Sequence, residues 1–226
     1  MKKKILIVGA TARELEPIIQ FLDSTKNLDQ DGSYTSDKSQ YFILRSGVGA
    51  AALSAKVTAF LMEIKVDLAI CFGIAGAYPG TFSIGDVVYV ATERWGDLGV
   101  EENDGSFKDI FEIGLVSPNE VPYQDRWLVN PDKDLVSFLP KAHGLTVNRV
   151  SGYPPSISRL REKYNADIES MEGAGFFYAC LLNEVPFMEI RCISNLVKAR
   201  NKAEWQIQKA INKLGVVAGQ MFDSMA

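Results

Sequence analysis

The chain has 226 residues, enough for a sizeable buried core, and its 47% apolar and 23% charged content is that of an ordinary globular protein. A formal net charge of −4 without a basic stripe gives nucleic-acid binding no footing, and the single histidine, His143, has no Cys/His cluster from which to build a zinc site. Cys71, Cys180 and Cys192 all sit in apolar runs, which fits small buried hydrophobes in a reducing compartment better than a disulfide framework.

At the start, three lysines precede ILIVGATA and imitate a secretory leader. The apolar stretch is short, contains Gly9 and runs straight into Arg13 and Glu14, so it reads instead as a strand at 5–8 entering an amphipathic helix. A strand at 41–44 leads through SGVGAAALSAKVTAFLME into a helix rich in small residues. Two more strands are expected at 68–72 and 86–92. The uncharged run from 68 to 85 tempts as a membrane span, but Gly73, Gly76, Pro79, Gly80 and Gly85 break it.

Residues 95–145 carry no strong period, and long active-site loops with minor strands are expected there, with His143 on a loop. A strand at 147–150, helices near 156–164 and about 171–182, and a buried strand at 185–193 follow. Asn201 and Glu204 form a capping box for the last helix, where Ile207, Ile211, Leu214, Ala218 and Met221 share one face. The basic residues Lys198, Arg200, Lys202, Lys209 and Lys213 read as a solvated surface. Strands alternating with helices give the fold class: α/β, a single domain over 1–226. Its central sheet is twisted, mixed but largely parallel, with helices on both faces.

The stretch YFILRSGVGAAA matches the glycine pattern of dinucleotide-binding folds. That reading needs an acidic residue at the end of the next strand, which instead closes on Cys71-Phe72-Gly73, so tight helix packing explains the glycines better. Glu172 is the only charge between Glu169 and Glu184. A first-turn carboxylate behind a Ser170 cap explains it structurally; binding of ligand hydroxyls explains it functionally. Glu14 and Asn195 stand at the carboxyl ends of their strands, where open α/β sheets gather ligands. Each also has a plain reading, a surface charge and a turn residue.

The motifs IVGATARE, SGVG, FGIAGAYPGTFSIGDVV, SMEGAGF and VPFMEIRCISN occur in the order seen in the nucleoside phosphorylase and nucleosidase superfamily, and the resemblance spans nearly the whole chain. Within it, ERWGDLGVE and the ISN ending continued as ARNKAEWQIQKAI most resemble the futalosine hydrolase family, which releases hypoxanthine from futalosine on a menaquinone pathway. The resemblance implies a three-layer nucleoside phosphorylase-like sandwich, a small-molecule nucleoside substrate, no metal or organic cofactor, no nucleic-acid or membrane partner, a cytoplasmic setting and a homo-oligomer.

Carried over by position, the resemblance makes Glu14 the carboxylate that positions the attacking water, Met171 a residue beneath the ribose and Glu172 the one binding its hydroxyls. Ser194, Ala75 and Gly76 would border the substrate, and Tyr153 or Pro155 would stack on the base. Asn195 stands where adenosine-type nucleosidases carry aspartate. An amide can donate to O6 or N7 of a 6-oxopurine, where a carboxylate would be repelled. Phosphorylases of the superfamily carry an arginine before the G-x-A-G loop and another in the first loop. Cys71 and Phe72 occupy the former place, and only Arg13 stands near the latter. Arg13, Arg45, Arg94 and Arg191 are all open as partners for the substrate's benzoate carboxylate.

Overall fold

The computed structural model of the chain describes residues 2–132 and 138–224; positions 133–137 of the expected loop region lie outside them. The lysine-led apolar stretch is β1 (Lys3–Gly9), followed by α1 (Ala12–Thr25), the short β2 (Asn27–Leu28) and β3 (Tyr34–Thr35), β4 (Ser39–Arg45) and α2 (Ala50–Glu63). Next come β5 (Leu68–Ala77), β6 (Val87–Trp95), a hairpin of β7 (Gly99–Glu101) and β8 (Phe107–Asp109), then β9 (Tyr123–Gln124) and β10 (Trp127–Val129). The remainder is β11 (Lys141–Thr146), α3 (Pro154–Tyr164), β12 (Ile168–Ser170), α4 (Gly173–Leu182), β13 (Phe187–Leu196), a 3-10 turn (Lys202–Glu204) and α5 (Ile207–Ser224).

The sheet is mixed, and its long pairings are mostly parallel: β1 with β4 and β5, β11 with β6, and β13 with β5. Alternation along β1 assigns the layers. Ile5 and Ile7 pack with Leu15, Ile18 and Leu22 of α1 and Leu214 of α5, whereas Leu6 and Val8 pack with Leu53 and Val57 of α2 and Phe176 of α4. Beyond the expected layers, the sheet curls: β5, β12, β11, β6 and β13 pair in turn, and β13 returns to β5, closing a ring. No helix among the described residues is long and apolar enough to cross a membrane.

Several expectations need correcting. The strand expected at 147–150 ends at Thr146, and His143 stands exposed on that strand rather than on a loop. The signal was hidden because exposed Lys141 and His143 alternate with buried Ala142 and Gly144. Gly144 is required there, since its Cβ would lie 2.1 Å from Glu93 Oε1. The capping box expected of Asn201 and Glu204 does not form: Asn201 Oδ1 accepts from the Ala203 N–H at 3.2 Å and Asn201 Nδ2 donates to Glu204 Oε1 at 3.0 Å, both around the 3-10 turn, and α5 starts only at Ile207. The glycines of SGVG serve the turn: Gly47 and Gly49 have φ of 88° and 96°, and Gly49 is the residue that opens α2. Close helix packing is instead the task of Gly175, whose Cβ would meet the Ala50 carbonyl at 2.5 Å.

Candidate active site

The parallel strands β1, β5 and β13 present their carboxyl ends side by side, and the start of α4 joins them. Between these ends lies a cleft of about 310 Å³ lined by Glu14, Ala75, Gly76, Met171, Glu172, Ser194 and Asn195, seven of the eight residues expected at the site. The eighth, Tyr153, does not reach it. It caps the amino end of α3, is 65% exposed and lines a neighbouring groove. Sequence reasoning missed Glu169, Ser151 and Trp205, which do line the cleft.

Glu14 is far from the surface charge its position first implies, at 6% exposure. It is residue N3 of α1, in a capping box with Thr11. Its Oε2 accepts from the Thr11 N–H (3.0 Å) and hydroxyl (2.7 Å), while Oε1 accepts from the Ile74 N–H at 3.2 Å. Three donors from two elements hold the carboxylate in one orientation at the cleft wall.

Glu172 is the N-cap residue of α4 but makes no side-chain cap bond; Ser170 Oγ and Thr146 Oγ accept from the Gly173 and Ala174 N–H groups instead. That leaves the Glu172 carboxylate free to span the gap to α2. Its Oε1 accepts from the Gly49 N–H at 3.0 Å, and its Oε2 lies 3.6 Å from Arg191 Nη1. The glycine loop that imitates a dinucleotide fingerprint thus aims its backbone N–H at a carboxylate of the protein itself.

Arg191 is 1% exposed beneath the cleft, with its Nε 2.6 Å from Glu189 Oε1. Burial would depress its pKa, but the Glu189 and Glu172 carboxylates outweigh that and hold it well above the ordinary value. Burial, and next the Glu189 charge, push Glu93 well above the usual carboxylate range. Burial also raises Glu189, with Arg191 pulling the other way. Gly73 is the floor that admits this arrangement: a Cβ there would lie 2.0 Å from Arg191 Nη1 and 3.3 Å from Glu14 Oε1.

At the far end Asn195 faces Gly76 in the neighbouring strand. The Ser194 hydroxyl has Asn195 Oδ1 at 2.8 Å and the Ala75 carbonyl at 3.2 Å as acceptors; the shorter bond takes the amide oxygen and leaves Nδ2 over Gly76 as the donor. One of its two N–H groups reaches the Leu196 carbonyl at 3.3 Å, leaving the other for a ligand.

The four arginines left open by sequence now separate. Arg191 is consumed by Glu189 and Glu172, and Arg94 is buried on Asp109 at 2.7 Å. Arg45 is exposed away from the cleft lining. Arg13 lines the cleft, is exposed, and donates to the neutral Gln208 Oε1 at 2.9 Å. Among the described lining residues it is the only cation, against the three carboxylates Glu14, Glu169 and Glu172. None of the described residues of 95–145, where active-site loops were expected, lines this cleft. Their hairpin borders the neighbouring groove, which shares Val150 and Ser151 with the cleft.

Residues 4–224 match the phosphorylase superfamily. The chain belongs to that superfamily. Among its curated relatives are futalosine hydrolases from Thermus thermophilus, 32% identical over 77% of each chain, and Acidothermus cellulolyticus, 33% identical over 95% of this chain and 88% of the relative. Solved superfamily structures share the fold. Futalosine hydrolase of Helicobacter pylori superposes with a TM-score of 0.79 at 15% identity over 98% of each chain. An S-adenosylhomocysteine nucleosidase from Streptococcus pyogenes gives 0.79 at 18% identity, covering 100% of this chain and 98% of its own.

Proposed function

We propose that the chain is an N-ribosyl hydrolase that cleaves futalosine to hypoxanthine and the ribosylated benzoate product. The supporting observation is the lining of the cleft, where Arg13 is the only cation among the described lining residues, beside a neutral amide and three carboxylates, of which only Glu172 is paired, to Arg191 beneath. Such a wall opposes a phosphate dianion and favours a ribosyl centre that becomes positive as the glycosidic bond breaks. Glu14, held by Thr11 and Ile74, orients a water and takes its proton as it attacks the anomeric carbon. Glu172, fixed by Gly49 and Arg191, accepts from the ribose hydroxyls above Met171. The Asn195 amide donates to the departing 6-oxopurine as it gains electron density.

Arg13 at the cleft edge takes the benzoate carboxylate, since its guanidinium meets a neutral amide rather than an acid. The stacking role assigned to Tyr153 passes to the apolar wall of Val150, Val197 and Trp205. The reading includes a cytoplasmic homo-oligomer; three buried, unpaired cysteines accord with a reducing setting.

The direct test is release of hypoxanthine from futalosine with and without phosphate. Equal rates in both, with free ribosyl product, are expected; a strict need for phosphate and a sugar phosphate product would make the protein a phosphorylase instead. Asn195→Asp is expected to shift the kcat/KM ratio of 6-oxo over 6-amino purine ribosides by at least about tenfold toward the amino substrates, because the new carboxylate meets O6 with a like charge. An unchanged ratio would remove the amide from base recognition.

A further inference from the structure

The two strands that flank β5 at its carboxyl end both place a polar residue opposite Gly76. Asn195 of β13 pairs with Gly76 on one side, and Glu169 of β12 pairs with it on the other. Residues in register on neighbouring strands share a face, and two strand spacings set the outer pair roughly 10 Å apart at their Cα atoms. The middle position has no side chain and could hold none: a Cβ on Gly76 would lie 3.0 Å from Asn195 Nδ2 and 2.9 Å from Val197 Cγ2. All three residues line the cleft, so the row is a shallow trough with a polar group at each rim.

The rims carry opposite hydrogen-bonding character. Asn195 presents a donor, because Ser194 holds its carbonyl oxygen. Glu169 presents a carboxylate, an acceptor. Ser151, on the adjoining loop, donates its N–H to Glu169 Oε1 at 2.8 Å and its hydroxyl to Oε2 at 2.5 Å, and the Tyr78 hydroxyl donates to Oε2 at 3.2 Å. The donors of Ser151 and Tyr78 are thereby turned onto the carboxylate. Oε1, with one bond accepted, keeps a lone pair for a ligand. Glu169 is 4% exposed, yet it faces no cation within ion-pair distance among the described residues. Holding the Ser151 loop does not by itself require a buried charge, since a neutral amide oxygen accepts the same kind of bond.

We propose that Glu169 is the second base-recognition residue, accepting the N1–H of a 6-oxopurine while Asn195 donates to the same base from across Gly76. The inference rests on the reading of the cleft as a hypoxanthine-releasing site and adds to it the residue that reads the lactam edge. A 6-oxopurine offers an acceptor at O6 and a donor at N1, complementary to an amide N–H and a carboxylate. Adenine offers the reverse pair, leaving one polar group unpaired at each rim. Glu169 selects the base; it touches no reacting bond.

The test is binding of three free bases, hypoxanthine, 1-methylhypoxanthine and adenine, measured by equilibrium dialysis on the wild-type protein and on Glu169→Gln and Glu169→Ala. The wild type is expected to bind hypoxanthine roughly 10- to 100-fold tighter than either other base. Glu169→Ala is expected to lose most of that margin through weaker hypoxanthine binding, and Glu169→Gln, whose single amide oxygen must serve both Ser151 and the base, to lose part of it, while 1-methylhypoxanthine, which has no N1–H, changes little in either. A purely structural Glu169 that only pins the Ser151 loop would weaken all three bases together and leave the margin intact, overturning the proposal. Equal wild-type binding of hypoxanthine and 1-methylhypoxanthine would also overturn it, without reference to any variant. Absence of hypoxanthine binding in the wild type, together with no hypoxanthine release from futalosine, would instead strike the hydrolase reading itself.

Discussion

Glu14→Gln lowers kcat on futalosine by about a thousandfold, within the range that general-base catalysis supplies, while substrate binding survives nearly intact. The reason lies in how the carboxylate is held. Its two oxygens accept from Thr11 and Ile74, none of which needs a negative charge to stay in place, so the packing of an isosteric amide is close to that of the acid. What the amide lacks is the ability to take a proton from water. Its NH2 group would also confront a donor, Thr11 or Ile74, wherever it turns, so a small loss of stability accompanies the large loss of turnover. Single-turnover hydrolysis beside equilibrium binding of futalosine separates the two effects. A variant that still turns over at the wild-type rate would remove Glu14 from the chemistry.

Arg191→Met costs about 3–5 kcal/mol of folding stability, the usual penalty for stripping one partner from a buried ion pair. Met matches the length of the arginine stem but leaves Glu189 and Glu172 without their shared cation, with Glu93 close behind. The pH dependence carries a defined sign. Burial already raises Glu189 above its ordinary value of 4.5, and losing Arg191, which lowers it, raises it further. A folded-state pKa above the unfolded one means the folded protein holds a proton that the unfolded chain releases. The penalty is therefore smallest near pH 5 and grows as pH climbs through the neutral range. Urea unfolding of both proteins at pH 5 and pH 8 measures it. A loss below about 1 kcal/mol, or one that shrinks at the higher pH, would show that the arginine does not neutralise this cluster. Activity should fall as well, because Glu172 then depends on Gly49 alone for its orientation.

The neighbouring groove shows why the described part of the long middle segment supplies the expected minor strands but not the cleft lining. Its lack of periodicity reads equally as active-site loop or as outer cover, since both are irregular and polar. Contacts decide between them. Asp109 holds the buried Arg94, Glu112 pairs with Lys163 of α3, and the hairpin is thereby fastened to the outside of the curled sheet, away from Glu14 and Glu172. In the same way Arg191 looked available from sequence because nothing in EIRCISN reveals that Gly73 on the next strand opens a space beneath the cleft for its guanidinium.

Glu169 is the sharpest case. It stands one residue before Ser170 in IESMEG, where the sequence uses it only to bound the stretch in which Glu172 is the sole charge. It lies instead on a three-residue strand that runs antiparallel to β5, too short to leave a period of its own. Its partners, Ser151 and Tyr78, are 18 and 91 positions away.

The sequence by itself determined the alternation of strands and helices, the buried strands and the family to which the chain belongs, because these follow from local periodicity and from motifs whose residues are neighbours along the chain. It also brought up Glu14, Glu172 and Asn195, at strand ends and a helix start where a side chain can face a ligand, and the family resemblance singled them out from their plain structural readings. Only the tertiary structure decided which charges are spent inside the protein and which remain for a substrate. That depends on strand register, on spaces opened by Gly73 and Gly76, and on pairings between residues far apart in the chain, none of which local pattern encodes.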